Sequence, residues 1–261
     1  MILSEKLAFE KLANTRDLGG MIARDGRRIR KGRLIRSGLL ARASEKDLEK
    51  LSQMLSAVVD FRSDIERRQQ PDPSVSGVEY FALPAVEDTA PGVTREAESD
   101  QLILHLMKDR EKARAHMIKT YRDVMTSAYS LRQYERFFRL LLEGRDKAIL
   151  WHCTAGKDRA GMAAFFVEKV LGVPDEVLQA DYLMTNRYLA DEVQMLAKML
   201  GQNGETDPVA VDYLFGAKTE YLDVVYQIIH DDYHGFDAFY REGLRLNDSD
   251  LEQLRALYLE P

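Results

Sequence analysis

The sequence predicts an α/β fold, with a mainly parallel central sheet flanked by helices on both faces. Three observations lead there. Short apolar runs of β type, such as Ala57-Val58-Val59-Asp60-Phe61 and Ala148-Ile149-Leu150-Trp151, are bounded by charges or turn residues. The segments between them carry apolar residues at helical spacing, and strands separated by helices favour parallel pairing. The strand at 148–151 also runs into a loop containing Gly156 and then into a helix from about Arg159. In an open α/β sheet that is where ligands bind.

In chain order, Arg33-Leu34-Ile35-Arg36 reads as a short strand. Ser44 caps the next helix, with Asp47 as a weaker variant of the capping-box Glu or Gln, and Leu48, Leu51 and Leu55 form its apolar face. The run 57–61 is a strand carrying Asp60 near its end, and 78–83 is another, closed by Pro84. Residues 85–97 hold Glu87, Asp88, Pro91 and Gly92 and read as a long loop, uncommon in a compact domain unless functional. From about 98 to 142 the pattern is helical, with Leu102, Leu106, Met117, Tyr121, Tyr129, Phe137 and Leu141 among charges, and Gly144 ends it. A helix over 160–171 stops at Gly172. Helices follow at 175–200, 219–233 and 249–259, the last capped by Asp248 or Ser249. No internal repeat interrupts this order.

A chain of 261 residues with 45% apolar and 31% charged residues can bury its own core without a metal or disulfide staple. The net charge of -6 and a pI near 5.5 disfavour nucleic acid or an anionic membrane as partner. The basic run from Arg24 to Arg36 reads as a solvated strand-and-turn surface, against the sharper reading of a dock for an acidic substrate. The single cysteine excludes an internal disulfide and fits a reducing compartment or a thiol kept for its chemistry. The N-terminus shows neither a basic segment before a long apolar run nor a membrane-spanning stretch, so the sequence reads as cytoplasmic. His105, His116, His230 and His234 lack metal-ligand spacing, and no metal or cofactor is expected.

The chemistry concentrates in His152-Cys153-Thr154-Ala155-Gly156-Lys157-Asp158-Arg159. Backbone N–H groups of a tight loop, with a helix N-terminus behind them, make a pocket for a dianion. The same positive field favours a thiolate at Cys153, the nucleophilic form. Arg159 can grip two phosphate oxygens with its planar fork and hold the charge of the transition state. Asp158 offers an acid for the leaving oxygen, and Lys157 adds positive charge at the mouth.

His152, Cys153, Arg159 and Gly161 at these spacings resemble the signature of the protein tyrosine phosphatase superfamily. The finer form Cys-x-x-Gly-Lys-Asp-Arg is similar to the bacterial branch related to secreted mycobacterial and Listeria phosphatases with dual protein and phosphoinositide activity. Weaker matches continue in order along the chain. Asn14-Thr15-Arg16-Asp17-Leu18-Gly19-Gly20 is similar to the family's N-terminal motif. Arg36-Ser37-Gly38, then Asp60-Phe61-Arg62-Ser63 with Glu66, then Asp181-Tyr182-Leu183 and Tyr221-Leu222 also resemble family segments.

The resemblance implies a tyrosine phosphatase-like fold in one domain over 1–261, with the helices at 98–142 inserted as a lid. It implies phosphate binding by Thr154, Ala155, Gly156, Lys157, Asp158 and Arg159, and a cysteinyl-phosphate on Cys153. Substrates would be protein phosphotyrosine, with phosphoserine, phosphothreonine and phosphoinositides as further candidates. Asp158 matches the family's general acid and is favoured over Asp88, which sits on a loop of the kind ordinary tyrosine phosphatases use. Asp60 neighbours the phosphate loop in the family, so it either orients Arg159 or satisfies loop N–H groups; Asn14, Arg16 and Asp17 are expected to form a structural turn. One departure stands out: Ala160 replaces the family's Thr or Ser, whose hydroxyl helps the thiolate leave. Two rivals remain: a rhodanese-type sulfurtransferase, opposed by His152 and Arg159, and a catalytically weak phosphate-binding module, favoured by Ala160.

Overall fold

The computed structural model describes residues 2–87, 97–201 and 206–261. Strands β1 (Glu5–Lys6), β2 (Arg16–Asp17), β4 (Leu34–Ser37), β5 (Leu55–Asp60), β6 (Glu79–Ala82) and β7 (Ala148–His152) form one sheet in the order β1-β2-β4-β7-β5-β6. From β4 to β6 all neighbours run parallel, while β2 pairs antiparallel with β4 and with β1. β3 (Arg28–Ile29) and β8 (Leu259–Glu260) make a separate antiparallel pair that ties the chain's two ends together.

Helix α1 (Glu45–Met54) starts at the expected Ser44–Asp47 capping box, and the buried Asp47 also accepts the N–H groups of Glu10 and Lys11. Helix α2 (Asp64–Gln69) has its own capping box, Ser63 with Glu66. Next come α3 (Ala97–Leu106), α4 (Arg110–Thr126), α5 (Ala128–Leu142), α6 (Arg159–Val170), α7 (Asp175–Tyr188), α8 (Ala190–Gly201), α9 (Pro208–Phe215) and α10 (Thr219–Tyr233). A short turn of helix, α11 (Phe236–Ala238), passes through a π-helical turn before α12 (Asp248–Tyr258). The last cap is Asn247, not Asp248 or Ser249, because Asn247 accepts the Asp250 N–H while Asp250 reaches back to it. The expected helix over 175–200 breaks at Leu189, and α9, opened by Pro208 at its first turn, was not anticipated.

Period-2 alternation along the strands builds two cores. Leu34, Ala57, Val59, Ile149 and Trp151 face the larger one, which draws on residues from Leu18 to Leu259. Ile35, Val58, Ala148 and Leu150 face a smaller one with Leu40 and Leu51. Helix α5 belongs to the larger core: Phe137 packs edge-on against Trp151 at 5.2 Å and against Phe61 at 5.4 Å. The insertion expected over 98–142 spans α3, α4 and α5, and α5 packs its apolar face against the sheet. Among the described residues, no helix is long and apolar enough to cross a membrane.

Parallel register brings three carboxyl ends level, with His152 beside Ser37 of β4 and Asp60 of β5. Cys153 leaves the central strand at that edge.

Candidate active site

Cys153 follows β7 as a free thiol, 2% exposed. The loop after it is shaped by donors that pull its carbonyls outward. Leu39 N–H bonds Thr154 O at 3.0 Å, Asn14 Nδ2 bonds Ala155 O at 3.0 Å, and Arg36 Nη2 bonds Gly156 O at 2.7 Å and Lys157 O at 3.4 Å. The peptide planes are trans, so each outward carbonyl sends the following N–H the opposite way, into the loop. Gly156 is required: its φ is +69°, and a Cβ there would lie 2.4 Å from the Ser37 carbonyl oxygen. Asp158, at the N-cap of α6, makes no side-chain capping bond, leaving the helix's positive end to the same cradle. Trp151 Nε1 donates to Ala160 O at 3.0 Å and Tyr134 Oη donates to Arg159 O at 3.2 Å, which locks the first turn of α6 to the core.

Arg159 is 4% exposed, and Glu66 holds its fork. Arg159 Nη1 donates to Glu66 Oε2 at 2.5 Å and Nη2 to Oε1 at 2.9 Å. Glu66 also accepts from Thr154 Oγ1 at 2.5 Å and from Ser63 N–H at 2.9 Å. Burial pushes the Glu66 carboxyl up, but the Arg159 charge and these hydrogen bonds outweigh it and hold it below the usual value. Asp60 does not orient Arg159. It holds Arg62, through Nε at 3.0 Å and Nη2 at 2.7 Å, because the turn after β5 brings Arg62 back over the strand end.

The fully buried His152 lies on this second cluster, with Nδ1 donating to Cys153 O at 3.2 Å and Nε2 2.9 Å from Asp72 Oδ2. Burial pushes the imidazole down, yet Asp60 and Asp72 override it and raise its pKa. Asp60, Asp72 and His152 lie close enough together to ligate a metal. The Arg62 guanidinium occupies that position, 2.7 Å from Asp60 and 2.9 Å from Asp72, so the donor set suits a cation the chain already supplies.

Lys157 is 2% exposed, so its ammonium does not stand open to solvent. Its Nζ donates to Leu214 O at 2.8 Å and Gly216 O at 3.1 Å, at the end of α9, and lies 3.4 Å from Asp158 Oδ1. The expectation of a cation at the mouth is thus corrected: orphan carbonyls at a helix C-terminus claim the ammonium. The loop's more exposed members are Thr154, Ala155 and Asp158. Asp158 Oδ1 accepts from Tyr121 Oη at 2.7 Å. Asp88 lies outside the described residues.

A buried layer supports the loop from below. Arg16 reaches Asn14 Oδ1, Asp181 O at 3.3 Å and Thr185 Oγ1 at 3.2 Å. Burial and the neighbouring Arg16 charge push the Arg36 guanidinium down to about 10. Asn14 and Arg16 therefore serve the phosphate loop, while Asp17 forms the expected turn by accepting the N–H groups of Gly19 and Gly32. The basic run splits likewise: Arg36 turns inward, while Arg24, Arg27 and Lys31 pair with Asp175, Asp25 and Glu5 on the surface.

Sequence reasoning missed the roles of Glu66, Asp72, Tyr121, Tyr134 and Tyr182. Glu66 carried a signal, being both the capping-box acid after Ser63 and part of a family-like motif. Tyr121 carried none, reading as one more apolar position in a helix.

A model described as the tyrosine phosphatase family matches residues 7–260. A Cupriavidus necator protein, provisionally named as a tyrosine-protein phosphatase, is 35% identical over 257 residues, covering 97% of this chain and 88% of that one. The triple specificity protein phosphatase PtpB of Mycobacterium tuberculosis is 27% identical over 236 residues, covering 78% of this chain and 82% of that one. Among solved structures, Pseudomonas aeruginosa TpbA aligns at 16% identity over 88% of each chain, with a TM-score of 0.29.

Proposed function

The chain belongs to the tyrosine phosphatase family, and from that premise we propose that it hydrolyses phosphotyrosine in proteins, with phosphoserine, phosphothreonine and phosphoinositides as further substrates. It is a cysteine-dependent phosphatase. The observation that carries the assignment of its residues is the loop after β7, whose carbonyls are all drawn outward beside a Glu66-clamped Arg159. That arrangement supports a cradle of inward N–H groups for a phosphoryl dianion.

In the proposed reaction the Cys153 thiolate attacks phosphorus, Arg159 grips the equatorial oxygens, and Asp158 protonates the leaving oxygen. Water then attacks the cysteinyl-phosphate with Asp158 as base. His152 and its carboxylates fix the strand end from which Cys153 departs. A nucleophile 2% exposed favours a phosphoryl group carried on a long side chain, which ranks tyrosine above serine. The buried Lys157 does not support a phosphoinositide preference; that activity rests on the resemblance of the Cys-x-x-Gly-Lys-Asp-Arg loop to bacterial phosphatases that act on phosphoinositides.

One preparation assayed on phosphotyrosine, phosphoserine and phosphothreonine peptides and on phosphoinositides tests the ranking. Turnover of phosphotyrosine below that of the others would overturn it. An Asp158→Asn variant should lose far more rate on poor leaving groups than on p-nitrophenyl phosphate; equal losses would remove Asp158 as the general acid. Ala160 favours a slow second step, and release of no more than one equivalent of product would mark a binding module instead.

A further inference from the structure

Three helices bring oxygen groups together beside the phosphate loop. Asp158 is partly exposed, with 24% of its side chain open, whereas Tyr121 of α4 and Tyr182 of α7 are buried. Tyr121 Oη donates to Asp158 Oδ1 at 2.7 Å. A phenol has one hydrogen, so in the 2.7 Å contact between the two tyrosine hydroxyls Tyr182 is the donor. Lys157 Nζ stands 3.4 Å from the same Oδ1, held there by the carbonyls of Leu214 and Gly216. Oδ1 thus faces two hydrogen donors. A carboxyl proton placed on Oδ1 would point at hydrogens, so it must ride on Oδ2.

We propose that Tyr121 is a positioning residue for proton transfer, holding Asp158 Oδ1 as an acceptor so that the transferable proton sits on Oδ2. This rests on the reading of Asp158 as general acid. In the first step the S–P bond forms, the P–O bond breaks, and the Oδ2 proton passes to the leaving oxygen. In the second, the water oxygen bonds phosphorus, the S–P bond breaks to release the thiolate, and the water proton returns to Oδ2. Oδ1 keeps the Tyr121 hydrogen bond throughout, and that bond strengthens when Asp158 is the carboxylate. Burial and the Asp158 charge raise the Tyr121 phenol well above its usual pKa, so it stays a donor. Its ring is held independently by Tyr221, at 5.2 Å between centroids.

The test uses Tyr121→Phe, Tyr182→Phe, Asp158→Asn and the Tyr121→Phe/Asp158→Asn double variant on aryl and alkyl phosphates of graded leaving-group pKa. Tyr121→Phe should lower kcat/KM, which reports the first chemical step, on the poorest leaving groups by on the order of tenfold, part of what general acid catalysis supplies. The loss in kcat/KM on p-nitrophenyl phosphate should be smaller. Tyr182→Phe should show the same pattern more weakly. In the Asp158→Asn background, Tyr121→Phe should add nothing. Equal losses across leaving groups, or a full extra loss in the double variant, would overturn the inference. Leaving-group dependence present in Asp158→Asn but absent in Tyr121→Phe would overturn it alone. An Asp158→Asn variant without such dependence would overturn the general-acid reading and this inference with it.

Discussion

Replacing Glu66 with Gln removes one charge from a buried ion pair and one of the two oxygens that hold the Arg159 fork. Glu66 accepts four hydrogen bonds, two from Arg159 and one each from Thr154 and the Ser63 N–H. A Gln side chain keeps one acceptor and points an NH2 at a guanidinium. Breaking a buried pair costs about 3–5 kcal/mol; Cys153 and Asp158 also favour the Arg159 charge, which places the cost near the lower end. At about 2–4 °C per kcal/mol for a chain of this size, the melting temperature should fall by about 6–12 °C. With its fork no longer aligned, Arg159 should lose transition-state contacts worth on the order of 10²-fold in kcat.

The pH dependence adds a third readout. The Glu66 carboxyl is held below 4.5 in the folded chain, so its contribution is present above that value and is lost as pH falls through the folded pKa. The melting gap between parent and Glu66→Gln should therefore narrow on acidification below 4.5. Thermal unfolding across pH and steady-state p-nitrophenyl phosphate turnover measure all three. A gap under about 2 °C at neutral pH, a kcat within about twofold of the parent, or a gap that does not narrow in acid would refute the clamp.

Cys153→Ser should abolish hydrolysis while retaining phosphate-analogue binding, since the loop N–H groups and Arg159 remain; residual turnover near the parent rate would remove the thiolate mechanism. Gly156→Ala should cost stability and activity together, because φ is +69° and the new Cβ would meet the Ser37 carbonyl at 2.4 Å; calorimetry and turnover should fall in parallel, by about 2 kcal/mol or more in stability. Lys157→Ala should lower the melting temperature, leaving the carbonyls of Leu214 and Gly216 unpaired, and should not lower phosphoinositide hydrolysis selectively; a selective loss would return Lys157 to the substrate. Ala160→Ser should speed hydrolysis of the cysteinyl-phosphate, so the parent should show a burst of phenol in rapid mixing that shrinks in the variant; no burst in the parent would place the slow step earlier.

What the sequence by itself determined is what the covalent chain carries locally. Cys153 and Arg159 stand six residues apart, so one strand–loop–helix step brings thiol and guanidinium to the same anion whatever the rest of the molecule does. The Ser44–Asp47 box and the strands at 57–61 and 148–151 were legible for the same reason, since caps and alternation are set by neighbours a few residues away. The tertiary structure alone decided where long side chains go. Glu66 meets Arg159 across 93 residues because β5 and β7 pair in parallel register and α2 starts at the level of the loop. Asp60, the carboxylate nearest in expectation, was taken by Arg62 instead. Lys157 read as a cation for substrate until α9, unforeseen in the sequence, offered it two carbonyls in a buried site. Tyr121 looked like core filling, and only the packing of α4 against the loop turned its hydroxyl toward Asp158. A residue type states what a side chain is able to bind; which partner it meets depends on packing between elements far apart in the chain.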